Sequence, residues 1–166
     1  MLCIILAQCW IEAQAYSANR SNQSKNGYVK LNGVAVWQAS WEGEFKNRRG
    51  VNVIIVDPST CTMQDSRNFD TYGDSHAADQ LCDYLQGLSD GTILVGVSCD
   101  EASEYLSNAL PALSALGADV SDVEYRGAWV FVAEKGNPDK TKLDKVLTEE
   151  AANDKQPYVT TSSTGA

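Results

Sequence analysis

The chain has 166 residues and a formal net charge of −9 at neutral pH. That length suits a single domain able to bury its own core without metals or staples. The acidity argues against nucleic acid as a partner: phosphate binding needs clustered cations, and the only basic cluster is Lys46, Arg48 and Arg49. No apolar run approaches the ~20 residues that cross a bilayer, so no membrane insertion is expected.

Met1 to Gln8 is apolar, and Ala13-Gln14-Ala15 has the small-x-small form of a signal-peptidase site. Against that stand the lack of a basic start and the presence of Glu12 just before the cut. Ile11 to Tyr16 also alternates as a strand does. The reading adopted is a short or truncated signal segment over residues 1–9, then a first strand. Ser17 to Gly27 is a polar loop with two N-glycosylation sequons, at Asn19 and Asn22. Asn32-Gly33 between two β-rich runs predicts a hairpin, since a type I′ turn needs positive φ at both central residues. Gln38 to Gly50 reads as a loop that holds Trp41 and Phe45.

Val51 to Val56 is rich in β-branched residues and predicts a buried strand. Asp57-Pro58-Ser59-Thr60 supplies turn chemistry, and Thr62 to Phe69 returns as a polar partner strand. Phe69-Asp70-Thr71-Tyr72 then feeds a helix expected from about Ser75 to Leu88, with Asp74 or Ser75 as its N-cap. Thr92 to Ser98 is apolar on both faces, as a central strand would be. Asp100 is expected to cap a second helix, which Pro111 kinks or restarts. Ala128 to Ala133 is expected as a last strand. Residues 137–166 read as a polar, flexible C-terminal tail, disordered from Tyr158. The order predicts an α+β fold with two β-sheets in a sandwich-like arrangement and short flanking helices.

Chemistry is sparse. Cys3, Cys9, Cys61, Cys82 and Cys99 lack paired zinc spacings, and His76 is the sole histidine. No metal or cofactor is therefore expected, and disulfide pairing stays open. His76 is expected at the surface rather than as a catalytic base. Asp70, Asp74 and Asp100 could supply a carboxylate pair for glycoside hydrolysis, but each also reads as a cap or turn residue. What remains is a binding constellation of Trp37, Trp41, Tyr72 and Trp129 with Asp70, Asp100 and Arg126. Aromatic faces stack on sugar rings, and charged groups pair with hydroxyls. Trp129, inside an apolar strand, is expected in the core, and Arg126 could form an ion pair with an Asp.

Read together, several segments resemble the interleukin-like EMT inducer (PANDER-like) domain family. They are Arg49 to Asp57, Phe69-Asp70-Thr71-Tyr72, Asp90 to Val95, Asp100-Glu101-Ala102-Ser103 with Leu106, and Tyr125 to Trp129 with Lys135-Gly136. The resemblance runs from about Ile11 to Gly136 and places the globular domain at residues 10–136. The family's Ser-x-Gly after the first strand is here Ser17-Ala18-Asn19, and its cysteine arrangement is not reproduced. The resemblance implies two β-sheets edged by helices and no catalytic activity. It also implies an extracellular, secreted domain, used in the family as a signalling protein or as a carbohydrate-binding module of larger proteins. The expected function is thus non-enzymatic binding of a glycan or glycoprotein. The expected ligand-binding residues are Trp41, Asp70, Tyr72, Asp100 and Arg126. The alternatives are a cytokine-like ligand of a cell-surface receptor and, behind it, a glycosidase-like enzyme.

Overall fold

The computed structural model describes residues 8–17, 26–42, 44 and 48–164. The sequons at Asn19 and Asn22, like Cys3, Phe45 and Lys46, lie outside the described residues. The strands are β1 (Gln8–Gln14), β2 (Tyr16–Ser17), β3 (Asn26–Leu31), β4 (Val34–Ser40), β5 (Gly50–Asp57), β6 (Thr62–Phe69), β7 (Ile93–Asp100), β8 (Ala128–Glu134), β9 (Lys142–Val146) and β10 (Tyr158–Thr164). The helices are α1 (Ala77–Gly87), α2 (Leu110–Ala115) and α3 (Glu149–Asp154), with a 3₁₀ turn at Ser107–Ala109 leading into α2.

Two sheets form. One has the order β10-β1-β3-β4, and the other, central one has the order β6-β5-β7-β8-β9. Short β2 crosses over from the first sheet and pairs in parallel with the end of β7, Tyr16 opposite Cys99 and Ser17 opposite Asp100. This is the expected α+β sandwich. The central strands are apolar on both faces because each face meets a different layer. Val51, Val53, Trp129 and Phe131 pack with Leu81, Leu85, Leu106 and Leu113 on the helical side. Ile54, Val56, Val95 and Val130 pack against Ile11, Ala13, Val29 and Trp37 of the first sheet. Each such side chain fully removed from water contributes roughly 1.5–3 kcal/mol, so this doubly covered sheet is the stable platform for whatever its strand ends carry.

The hairpin at Asn32-Gly33 forms as expected, with φ of 48° and 81° at the two turn residues. The turn between β5 and β6 is held by Asp57, whose Oδ1 accepts from the Ser59 amide at 2.9 Å and its hydroxyl at 2.6 Å.

Several expectations need correction. Gln8 and Cys9 belong to β1, and buried Cys9 is disulfide-bonded to Cys61, so the fold takes in the last two residues of the segment assigned to a leader; residues 1–7 lie outside the described residues. The first helix is shorter than expected, and neither Asp74 nor Ser75 is its N-cap. His76 holds that place, and Asp74 instead accepts the His76 amide at 2.8 Å. Asp100 does not cap a helix: it ends β7, and helical structure resumes only at Ser107. The C-terminal segment, read as a flexible tail, supplies two strands and a helix. There β9 pairs with β8, β10 pairs with β1 over seven residues, and Val146, Ala152 and Val159 are buried. Its Thr-rich end resembles disordered sequence in polarity, yet threonine is β-branched and suits a strand once a partner edge exists. Ala128–Glu134 is therefore not the last strand.

Candidate functional site

The residues singled out by sequence converge on one end of the central sheet, where β5 and β8 begin and β6 and β7 finish. Arg49 precedes β5 and Asp70 follows β6, and the antiparallel pairing of Val51 with Phe69 brings them together. The Arg49 guanidinium grips Asp70 with two bonds, Nε to Oδ1 at 2.9 Å and Nη2 to Oδ2 at 2.7 Å. Asp70 Oδ1 also accepts the Gly73 amide at 3.0 Å. These contacts, the Arg49 bonds foremost, hold the Asp70 carboxyl below the usual carboxylate range. Glycine is required beside this clamp. A Cβ at Gly73 would lie 2.5 Å from Arg49 Nη2, and one at Gly50, where φ is +93°, would lie 2.2 Å from the Phe69 carbonyl oxygen. Fully buried Thr71 ties the corner to the loop after β7: its hydroxyl donates to Ala102 O at 2.9 Å, and its carbonyl accepts the Tyr105 amide at 2.8 Å.

Across from the clamp stands Asp100. Its backbone is left-handed, with φ of 63°, and Arg126 is left-handed too, with φ of 57°. Such conformations cost of order 1–3 kcal/mol outside glycine and persist where surrounding structure enforces them. Here the enforcing group is Glu101, 2% exposed, whose carboxylate accepts from the amides of Ser103 and Arg126 and from the Ser103 hydroxyl. Asp100 is half-buried, and among the described residues no hydrogen bond to its carboxylate is formed. Burial pushes its carboxyl up, while Arg126 and Arg49 partly offset that shift. Arg126 pairs not with an aspartate but with Glu149 of α3, at 3.6 Å. The sequence reading missed this partner because it placed Glu149 in a flexible tail.

These elements enclose a cleft of about 320 Å³ lined by Tyr16, Ser40, Trp41, Arg48, Arg49, Asn68, Asp70 and Asp100. Of the expected site residues, Asp70, Asp100 and Trp41 line the cleft directly. Tyr72 lies just outside, with its ring centroid 4.8 Å from Arg49 Cζ, and Arg126 is not among the lining residues but acts on Asp100 through its charge. Trp37 and Trp129 are core residues, at 4% and 1% exposure, so neither is a platform. Trp41 is 42% exposed at the rim.

Sequence reasoning missed Arg48, Arg49, Asn68, Ser40 and Tyr16 as cleft residues. The adjacent arginines had been weighed only as a phosphate cluster. Arg48 lies 5.3 Å over the Trp37 ring and, among the described residues, makes no ion pair. Arg49, by contrast, is neutralised by Asp70. Asn68 donates to Asn52 Oδ1 at 3.0 Å and to Arg49 O at 2.9 Å, which fixes the cleft wall. The cleft thus offers an exposed indole and, with no ion pair or hydrogen bond to them among the described residues, the Arg48 guanidinium and the Asp100 carboxylate on rigid strand ends. Such a set can stack on a ring and both donate to and accept from hydroxyl groups.

The chain is similar to several known proteins. The chain is 33% identical over 112 residues to the human cell migration-inducing and hyaluronan-binding protein, an alignment covering 66% of this chain and 8% of that protein. It is 31% identical over 112 residues to human protein FAM3B, covering 64% of this chain and 47% of the relative. A zebrafish (Danio rerio) cell surface hyaluronidase is 26% identical over 125 residues, covering 74% of this chain and 9% of that enzyme. The chain therefore spans less than half the length of these relatives. The interleukin-like EMT inducer family matches over residues 49–137, which runs from the clamp arginine to the turn after β8. The chain belongs to the interleukin-like EMT inducer family.

Proposed function

We propose that the domain is a secreted, non-enzymatic module that binds a carbohydrate or glycoprotein partner in the cleft at the end of the central sheet. The observation that carries this reading is the combination of the exposed Trp41 indole with Arg48 and Asp100 in one cleft. In the bound state Trp41 stacks on the apolar face of a sugar ring, Asp100 accepts from its hydroxyls, and Arg48 donates to them. Arg49 and Asp70 serve as the rigid wall, and Arg126 keeps Asp100 in place. The Cys9–Cys61 disulfide supports an extracellular location, since such bonds persist in oxidising compartments. The non-enzymatic part rests on Asp70. Three bonds from Arg49 and Gly73 hold Asp70 as a clamped anion rather than a poised base, and Asp100 is left as the one other carboxylate lining the cleft among the described residues, without the second acid or base that hydrolysis needs. The names of two relatives, one hyaluronan-binding and one a hyaluronidase, support a glycan as the ligand class.

The test is a glycan array with the purified protein, repeated with Asp100→Asn and Trp41→Ala. Asparagine tolerates a left-handed backbone, so Asp100→Asn removes the charge without changing the turn. The expected outcome is retention of a defined set of glycans by the wild type and a loss of about tenfold or more in each variant. A folded wild-type sample that retains no sugar refutes the proposal. A second reading, a cytokine-like ligand of a cell-surface receptor, draws on the similarity to FAM3B. It is favoured if binding to cells survives enzymatic removal of their surface glycans.

A further inference from the structure

Outside the cleft, four side chains stand in a row that neither core absorbs. Arg49 Cζ lies 4.8 Å from the Tyr72 ring centroid, the Tyr72 and Tyr125 centroids are 6.4 Å apart, and Arg126 Cζ lies 5.3 Å from Tyr125. The row starts at the cleft-lining Arg49 and ends at Arg126, whose charge acts on the cleft carboxylate Asp100, so its two tyrosines lie along the flank of the cleft. Tyr125 is 46% exposed, more than any other tryptophan, tyrosine or phenylalanine among those described. The turn beneath it is tightly pinned. Glu124 N donates to Leu147 O at 2.8 Å, Gly127 N donates to Glu124 O at 2.9 Å, and the buried Glu101 carboxylate holds the Arg126 amide. The Arg126 Nε is buried without a hydrogen-bond partner. The chain thus carries a left-handed arginine backbone and, among the described residues, an orphaned donor at a turn whose tyrosine stays nearly half exposed. That turn presents an aromatic face beside the cleft.

We propose that Tyr72 and Tyr125 form a second stacking subsite, which takes the next ring of a saccharide whose terminal ring occupies the cleft. The ligand is then an oligosaccharide of at least two rings, read along its length, rather than a single terminal sugar. This inference rests on the carbohydrate reading of the cleft. Tyr72 lies against Arg49, whose other contacts fix Asp70 and the cleft wall, so the two subsites share one rigid element and have a fixed spacing. The two rings are inclined by 45° to each other, which suits the edges and faces of a chain that bends away from the sheet rather than a flat stack.

The experiment is an array that prints each terminal sugar alone and at the end of di- to tetrasaccharides, probed with wild type, Tyr125→Ala and Tyr125→Leu. Leucine keeps apolar bulk at the turn but removes the aromatic face, so it serves where alanine disturbs folding. Wild type is expected to gain affinity from one ring to two. Both variants should lose about three- to tenfold on the longer glycans, the scale of one aromatic contact, and leave single sugars unchanged. Tyr125→Phe should retain the gain, and Trp10→Ala, which alters an exposed indole on the other sheet, should behave as wild type. No gain with length in the wild type, or equal losses on single sugars and longer chains, overturns the second subsite and leaves the cleft reading standing. Retention of no sugar at all removes both.

Discussion

The central sheet has two ends, and the chain reverses direction at each. At the end away from the cleft, positive φ falls on Gly91 and Gly136, both at 86°, where it carries no side-chain penalty. One residue there departs from that pattern: Cys61, at φ 52°, is tied to Cys9. At the cleft end, Asp100 and Arg126 adopt the same backbone region with full side chains, at a cost of roughly 1–2 kcal/mol each relative to glycine. Glycine would turn the chain at either place. Only the cleft end keeps charged side chains where glycine would suffice, and only there is a buried carboxylate, Glu101, devoted to holding the turn. One end of the sheet is built for closure and the other for presentation.

The contrast can be broken most severely at Gly50. Replacement by alanine puts a Cβ 2.2 Å from the Phe69 carbonyl oxygen at a φ of +93°, and no flexible group there can yield. A loss of about 3 kcal/mol or more is expected, read as a fall in the urea midpoint, together with loss of glycan retention as the Arg49–Asp70 clamp shifts. At the far end, replacing Cys9 and Cys61 with alanine opens a loop closed across a sequence separation of 52 and should cost about 2–4 kcal/mol. Glycan retention should persist at temperatures where the protein stays folded, because the disulfide lies at the opposite end of the sheet. An equal loss of binding in this variant would dissolve the distinction between the two ends.

The smallest effect, and the sharpest, concerns Asp100→Asn. Burial raises the Asp100 carboxyl above its ordinary value, so the folded protein holds that proton more tightly than the unfolded chain. Stability linked to this group is fully present below the ordinary carboxylate pKa and is lost as pH rises through the raised, folded value. Asparagine removes that loss. The variant is expected to gain up to about 1 kcal/mol near neutral pH, a gain that vanishes below the ordinary carboxylate range, while its glycan binding falls. Wild-type binding should likewise weaken on acidification sooner than an ordinary carboxylate would predict. A variant that loses stability at neutral pH would mean that Asp100 is structural rather than presented.

Much of this architecture is legible in local pattern. The apolar runs at Val51 to Val56, Thr92 to Ser98 and Ala128 to Ala133 announce strands buried on both faces, and Asn32-Gly33 announces its turn. Leu81 and Leu85 mark the buried face of α1. The candidate site is legible in part. Asp70, Asp100 and Arg126 stand out as charged residues at strand ends, yet their roles do not. Asp70 is clamped by Arg49, Asp100 is half-buried with no hydrogen bond to its carboxylate among the described residues, and Arg126 is the partner of a glutamate on another element. Arg48 is visible as half of a basic pair, but that it forms no ion pair among the described residues appears only when the neighbouring strand gives Asp70 to Arg49 instead.

The central strands, the first hairpin, the turn at Asp57 and the family can all be read from local sequence. Each is written in residues that are neighbours along the chain, where periodicity and turn chemistry act directly. Only the tertiary structure decided that the Thr-rich C-terminal segment is a strand, because β10 exists through pairing with β1 at the opposite end of the chain. It also decided that Cys9 belongs to the domain, through its bond to Cys61. The cleft is likewise assembled from the ends of β4, β5, β6 and β7 with β2, and no short stretch carries it. What makes Asp100 distinctive is its partial burial near Arg126 and Arg49 and its left-handed backbone, and these are properties of its surroundings rather than of its place in the sequence.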